Sequence, residues 1–245
     1  MKVIDIHSHI LPASLRNAYT NGKDWFGSKV ERTKEGRTIL TTGKRKNVMS
    51  TPEYWVPYKD RIMLMDEAEV DVQLLSLNPQ LLRDSDPIEV AAEACVAIND
   101  EIAEAVRLRP DRYQGLGTIP IKDPESSILE LNRLMNELHL KGIIIGSHID
   151  HQNLNHDHLL EILKEAEKLG AFILLHPLST RANAIMGDYH LINLIGHPMD
   201  CIFYTSDAAD ASLRVDLGGR RVVQYNRRKP HTVRSTTVKQ AEHER

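Results

Sequence analysis

Five strand-like segments, separated by helical patterns, constrain this chain most. Val3–Ile6, Val70–Leu77, Tyr113–Ile119, Gly142–Gly146 and Ala171–Leu175 each read as a strand. Gly142–Gly146 is solidly aliphatic, as strands covered on both faces tend to be. Helical segments alternate with them. Tyr58 to Ala68 has helical periodicity. Asp86-Pro87 and Asp123-Pro124 each set a capping residue before a proline, opening helices to about Leu108 and about His139. Asp157 to Leu169 is a helix stopped by Gly170, and Asp188 to Ile195 is a short one. Five βα units in a row predict a parallel α/β fold.

Ligands in such folds collect at the carboxyl ends of strands. The first strand runs into Ile4-Asp5-Ile6-His7-Ser8-His9. Alternate strand residues point the same way, so His7 and His9 project together. Two converging imidazoles begin a divalent-metal site. Asp5 shares that face and is placed to accept a ring N–H and fix its tautomer. The alternative is a solvated His-x-His loop. The second strand ends at Asn78-Pro79, the fourth at Ser147-His148 and the fifth at His176-Pro177. Histidines at three strand ends favour the metal reading. His176 could instead be a structural histidine before a proline turn. His148 and Asn78 are candidates to line a substrate pocket. With His151, His156 and His158 close by, the His148 segment also reads as a polar loop entering a helix.

Length and charge narrow the classes. A chain of 245 residues suits one large domain or two small ones. Net charge is −3, which gives no bias toward nucleic acid or anionic membrane. Cys95 and Cys201 lie far apart and outside any C-x-x-C, so no disulfide framework or zinc ribbon is indicated. A reducing cytosol fits, with strand-like sequence from Val3 in place of a signal peptide. No apolar run approaches the roughly 18 residues of a membrane span. Residues 10 to about 57 form a long polar insertion, rich in Gly and Lys, with Trp25, Phe26, Tyr54 and Trp55. It is expected to hang over the histidines as a lid.

Four segments carry a resemblance: IDIHSHILP at residue 4, GLGTIP at 115, KGIIIGSHI at 141 and LLHP at 174. In order and spacing they are similar to the amidohydrolase-related family, and within it to the aminocarboxymuconate semialdehyde decarboxylase branch. The resemblance runs from residue 1 to about 200. It implies a (β/α)8 TIM-type barrel holding one divalent metal, usually Zn2+, with His7, His9 and His176 as ligands. Two chemistries follow from it. One is non-oxidative decarboxylation of a conjugated or aromatic carboxylic acid, and the other is hydrolysis of a lactone, ester or amide. The expected partner is a small carboxylic acid, without nucleic acid or membrane, and a homo-oligomer is allowed.

The sequence departs from the family in two places. The branch carries an arginine in the insertion that grips the substrate carboxylate. The matching position here is Asn47, beside Lys44, Arg45 and Lys46. Lys44 and Asn47 become pocket candidates, although a lysine does not replace a guanidinium fork. A solvated basic turn is the alternative. The second departure is larger. The family has a His-Gly-Gly-Gly segment that supplies the acid/base histidine, and a Gly-x-Asp-Tyr-Pro-like segment that supplies a metal-ligating aspartate. Neither occurs, so the catalytic acid/base is unassigned. Forty-nine residues follow Gly196, whereas three further βα units need about 90. Residues 201–245 hold nine Lys/Arg against five Asp/Glu and read as a non-family basic tail after a 1–200 barrel segment. The expectation is an incomplete barrel of about five βα units, its reading frame disrupted or ended near Asp200–Cys201. Translating the other frames of the coding DNA tests that. Asp207, in Thr205-Ser206-Asp207-Ala208, superficially resembles the aspartate segment but lies only 31 residues after His176. His197 and His231 could replace the acid/base histidine only without support from spacing. A catalytically inactive relative is the third functional outcome.

Overall fold

The computed structural model describes residues 2–198, apart from 35–36, 43–44, 50–51, 150–153, 179–185 and 187–190. In chain order the elements are β1 (Ile4–Ile10), α1 (Ala13–Thr20), β2 (Ser28–Arg32), β3 (Thr38–Thr42), β4 (Arg45–Val48), α2 (Tyr58–Glu67), β5 (Val72–Leu77), α3 (Ile88–Leu108), β6 (Tyr113–Gly115), α4 (Pro124–Asn136), β7 (Gly142–Gly146), α5 (Asp157–Leu169) and β8 (Phe172–His176). Residues 1, 199–245 and the gaps above lie outside the described residues, and with them Lys44, Asp207 and His231.

The expected βα alternation is present. β1 pairs in parallel with β5, and β5 with β6. A parallel bridge between Gly117 and Ile143 joins β6 to β7, which pairs in parallel with β8. Strand order thus follows chain order, with a helix between each successive pair. The sheet must curl. Five strands laid flat would put the outer two about 19 Å apart. His9 on β1 and His176 on β8 instead lie 3.1 Å apart at their Nε2 atoms. The two ends of the arc face each other across its mouth.

Local chemistry sets the boundaries. β1 runs to Ile10, beyond the expected Ile6, because His9 and Ile10 pair with Ser76 and Leu77. β6 stops early because the Asn99 side chain takes both backbone groups of Thr118, each at 2.8 Å. Asp123 caps α4 as expected, accepting from Ser126 N at 2.9 Å. Asp86 does not cap α3; its carboxylate pairs with Arg83 at 2.9 Å. α4 ends at Asn136, before the positive φ of His139. Gly170 closes α5 in the left-handed region, φ 65°.

The insertion is not the loop that its polarity suggested. It holds α1 and an antiparallel meander, β2–β3–β4. Leu40 and Trp25 are buried against the core. Arg83, just after β5, fastens this unit. Its guanidinium donates to Ser28 Oγ at 3.1 Å and Phe26 O at 2.9 Å, and lies 5.0 Å from the Trp25 ring centre.

Candidate metal centre

The site begins with an irregularity in β1. Its register against β5 slips between Asp5 and Ser8. Bulges of this kind re-aim side chains. Here His7 and His9 turn their rings together, Nε2 to Nε2 at 2.9 Å. β8 delivers His176 from the opposite end of the arc, in register with Gly146. One nitrogen from each of His7, His9 and His176 lies within 4.8 Å of the others, the only such group of metal-capable side chains among the described residues. The rings are steeply inclined to one another, at 87°, 80° and 65°, rather than stacked.

Hydrogen bonds set the tautomers. His176 Nδ1 meets Pro177 O at 2.8 Å, and a carbonyl only accepts, so Nδ1 carries the proton. His9 Nδ1 meets Ser76 Oγ at 3.0 Å. The Ser76 hydroxyl donates toward Ser8 O at 3.5 Å, leaving its oxygen to accept from His9. Both Nε2 atoms are then lone pairs. Burial, reinforced by His176 and His7, pushes His9 down to about 3. Burial is also the main cause lowering His176, against the Pro177 hydrogen bond. Both rings are therefore neutral near pH 7, the form that binds metal. Converging lone pairs repel, and a cation between them removes the conflict. Two nitrogens held about 2.1 Å from one ion at right angles are about 3.0 Å apart. The observed 2.9 and 3.1 Å spacings fit that geometry.

Other expected residues fall elsewhere. Asp5 takes no ring N–H in this arrangement; its Oδ1 accepts the backbone N–H of His7 at 3.0 Å and its Oδ2 accepts from Gln73 at 3.1 Å. Both bonds tie it to the chain beside the register slip. Asn78 is buried, accepts from Gln80 N at 3.0 Å and donates its own N–H to Ile10 O at 3.0 Å. It caps the turn after β5. His148 lines a crevice with Arg83, Asp84 and Thr118, outside the three-histidine group. Asn47 is half-buried on β4 opposite Leu40. His197 lies close enough to His176 to lower its basicity. Sequence reasoning missed Ser76. Its signal was a hydroxyl among the leucines that end β5.

Residues 4–220 match the amidohydrolase family model. The chain belongs to the amidohydrolase family. It is 34% identical over 200 residues to 2-amino-3-carboxymuconate-6-semialdehyde decarboxylase of Dictyostelium discoideum, covering 80% of this chain and 55% of that protein. Within the family, its similarity is to a decarboxylase. The apo IDCase of Metarhizium anisopliae superposes with a TM-score of 0.68 at 21% identity, covering 81% of this chain and 58% of that one. A 5-carboxyvanillate decarboxylase of Novosphingobium aromaticivorans, solved with manganese, gives a TM-score of 0.58 at 19% identity, covering 78% and 55%. This amidohydrolase chain thus spans little more than half the length of these relatives. The family and its structural neighbours are of the TIM-barrel type, which agrees with the curled order of parallel strands. Among the described residues, no helix is long and apolar enough to cross a membrane.

Proposed function

We propose that this chain is a metal-dependent carboxy-lyase for a conjugated or aromatic carboxylic acid, with His7, His9 and His176 as ligands to one divalent ion. The convergence of their three ring nitrogens within 4.8 Å carries the reading. Relatives named as decarboxylases of an aminocarboxymuconate semialdehyde and of carboxyvanillate supply the reaction class. The ion, when bound, would polarise the substrate carboxylate and lower the pKa of a bound water. The protein's own part is to hold the rings neutral and aimed. Ser76 fixes His9, Pro177 O fixes His176, and Asp5 fixes the backbone at His7. Overall, R–CO2⁻ and H⁺ become R–H and CO2, so a proton must be delivered to carbon. The insertion serves as a lid, since Arg83 ties it to the loop after β5, on the side where strands end. Asn47 and the neighbouring Lys44 are its candidates for gripping a carboxylate. A divalent ion is the level supported by the donor set. Zinc was the expectation, and manganese is bound in a neighbour.

The test is turnover by the full chain, loaded separately with Zn2+ and Mn2+, on a panel of aromatic and muconic carboxylates with CO2 as readout. CO2 release that disappears in His176→Ala supports the proposal. Hydrolysis of a lactone, ester or amide without CO2 release would make the protein a hydrolase. Stoichiometric metal with no turnover would make it an inactive relative.

A further inference from the structure

α2 carries a buried cation. Lys59, Asp60, Asp66 and Glu67 are exposed on this helix, while Arg61 is only 6% exposed. Its guanidinium reaches β1. Nη1 donates to Ser8 Oγ at 2.8 Å, and Nη2 donates to the carbonyl of His9 at 2.9 Å. These acceptors sit on adjacent residues at the end of the register slip between Asp5 and Ser8. The planar fork therefore grips the chain where it leaves the irregularity that turns His9 toward His7. The same segment is held from β5, where Ser76 Oγ contacts both His9 Nδ1 and Ser8 O. Arg61 and Ser76 thus brace one short stretch of β1 from two elements.

Burying a guanidinium is costly, and here it lies near a site suited to a second cation. An apolar side chain would fill the same core without that cost. What only a rigid two-pronged donor supplies is geometry. We propose that Arg61 is a positioning residue of the histidine centre: gripping Ser8 and the His9 carbonyl, it holds the β1 bulge in the one conformation that brings His9 Nε2 to His7 and His176. It touches neither ion nor substrate. A mere staple between α2 and β1 would affect stability alone.

The inference rests on the histidines binding a divalent ion, so the test reads metal directly. The full chain is titrated with Co2+ and followed by its visible absorption, as wild type, Arg61→Lys, Ser8→Ala and His9→Ala. Melting of each metal-free protein is recorded in parallel. Lysine keeps the charge but reaches only one acceptor, and Ser8→Ala removes the other contact with little loss of volume. Arg61→Lys and Ser8→Ala are expected to bind Co2+ about 10–100-fold more weakly, with altered bands, while Ser8→Ala, which costs the guanidinium one acceptor, still folds and melts only modestly below wild type. Should Arg61→Lys fail to fold, Ser8→Ala decides. Wild-type affinity and spectrum in the folded variants, alongside loss of binding in His9→Ala, would overturn the positioning role and leave the metal site standing. Absence of Co2+ binding by wild type would overturn both.

Discussion

His9 is the residue on which most constraints meet. It is buried, it pairs with Ser76, and its Nε2 faces two other imidazoles. Its ordinary value of 6.5 falls to about 3 in the fold. Below pH 6.5 the unfolded chain takes up a proton that the folded one refuses until about pH 3. The stability that a neutral His9 contributes to the metal-free protein is therefore full above pH 6.5 and declines across that window as the solution is acidified. His176, also lowered, acts in the same direction. Urea midpoints followed by tryptophan fluorescence should fall less steeply with acid in His9→Gln than in wild type. Equal slopes would contradict the burial of a neutral ring. The histidines themselves were legible, because i, i+2 spacing and strand-end position are local properties. Ser76 and Arg61 were not. They stand 67 and 53 residues from the residues they hold. Only the register of β1 against β5 and the seating of α2 bring them there.

Elements were readable where apolar periodicity or capping chemistry is strong. Gly142–Gly146 was placed residue for residue, and α5 with its Gly170 stop likewise. The meander of residues 28–48 was not, because its strands have four or five residues and are rich in Lys, Arg and Thr. Arg83 adds a polar attachment to the burial of Trp25 and Leu40. Arg83→Met leaves Phe26 O, Ser28 Oγ and Asp86 without their donor. Loss of a buried charged partner of this kind costs about 3 kcal/mol. Limited proteolysis should then cut within residues 28–48 well before the barrel elements. Unchanged cleavage would show that the insertion is held by other means. Gly142 tests the β7–β8 junction. Its φ is +147°, and a Cβ there would lie 1.8 Å from Phe172 O. Gly142→Ala should destabilise by at least about 3 kcal/mol in a denaturant titration. A smaller effect would mean that β8 can shift without losing its pairing.

At the scale of the whole molecule, one arrangement ties fold to chemistry. Parallel strands in chain order curl until the first and fifth of them present histidines to the same point. The curvature was expected from family resemblance, since strand counting alone allows open and closed sheets equally. The decarboxylase relatives support the proposed reaction, and the histidines mark the place proposed for it. All of this depends on a cation between the three rings. A crystal grown with Mn2+ and measured across the manganese absorption edge tests it most directly. One anomalous peak is expected, about 2.1 Å from the Nε2 atoms of His7, His9 and His176. A map with no peak between those rings, or with manganese bound only elsewhere, would contradict it.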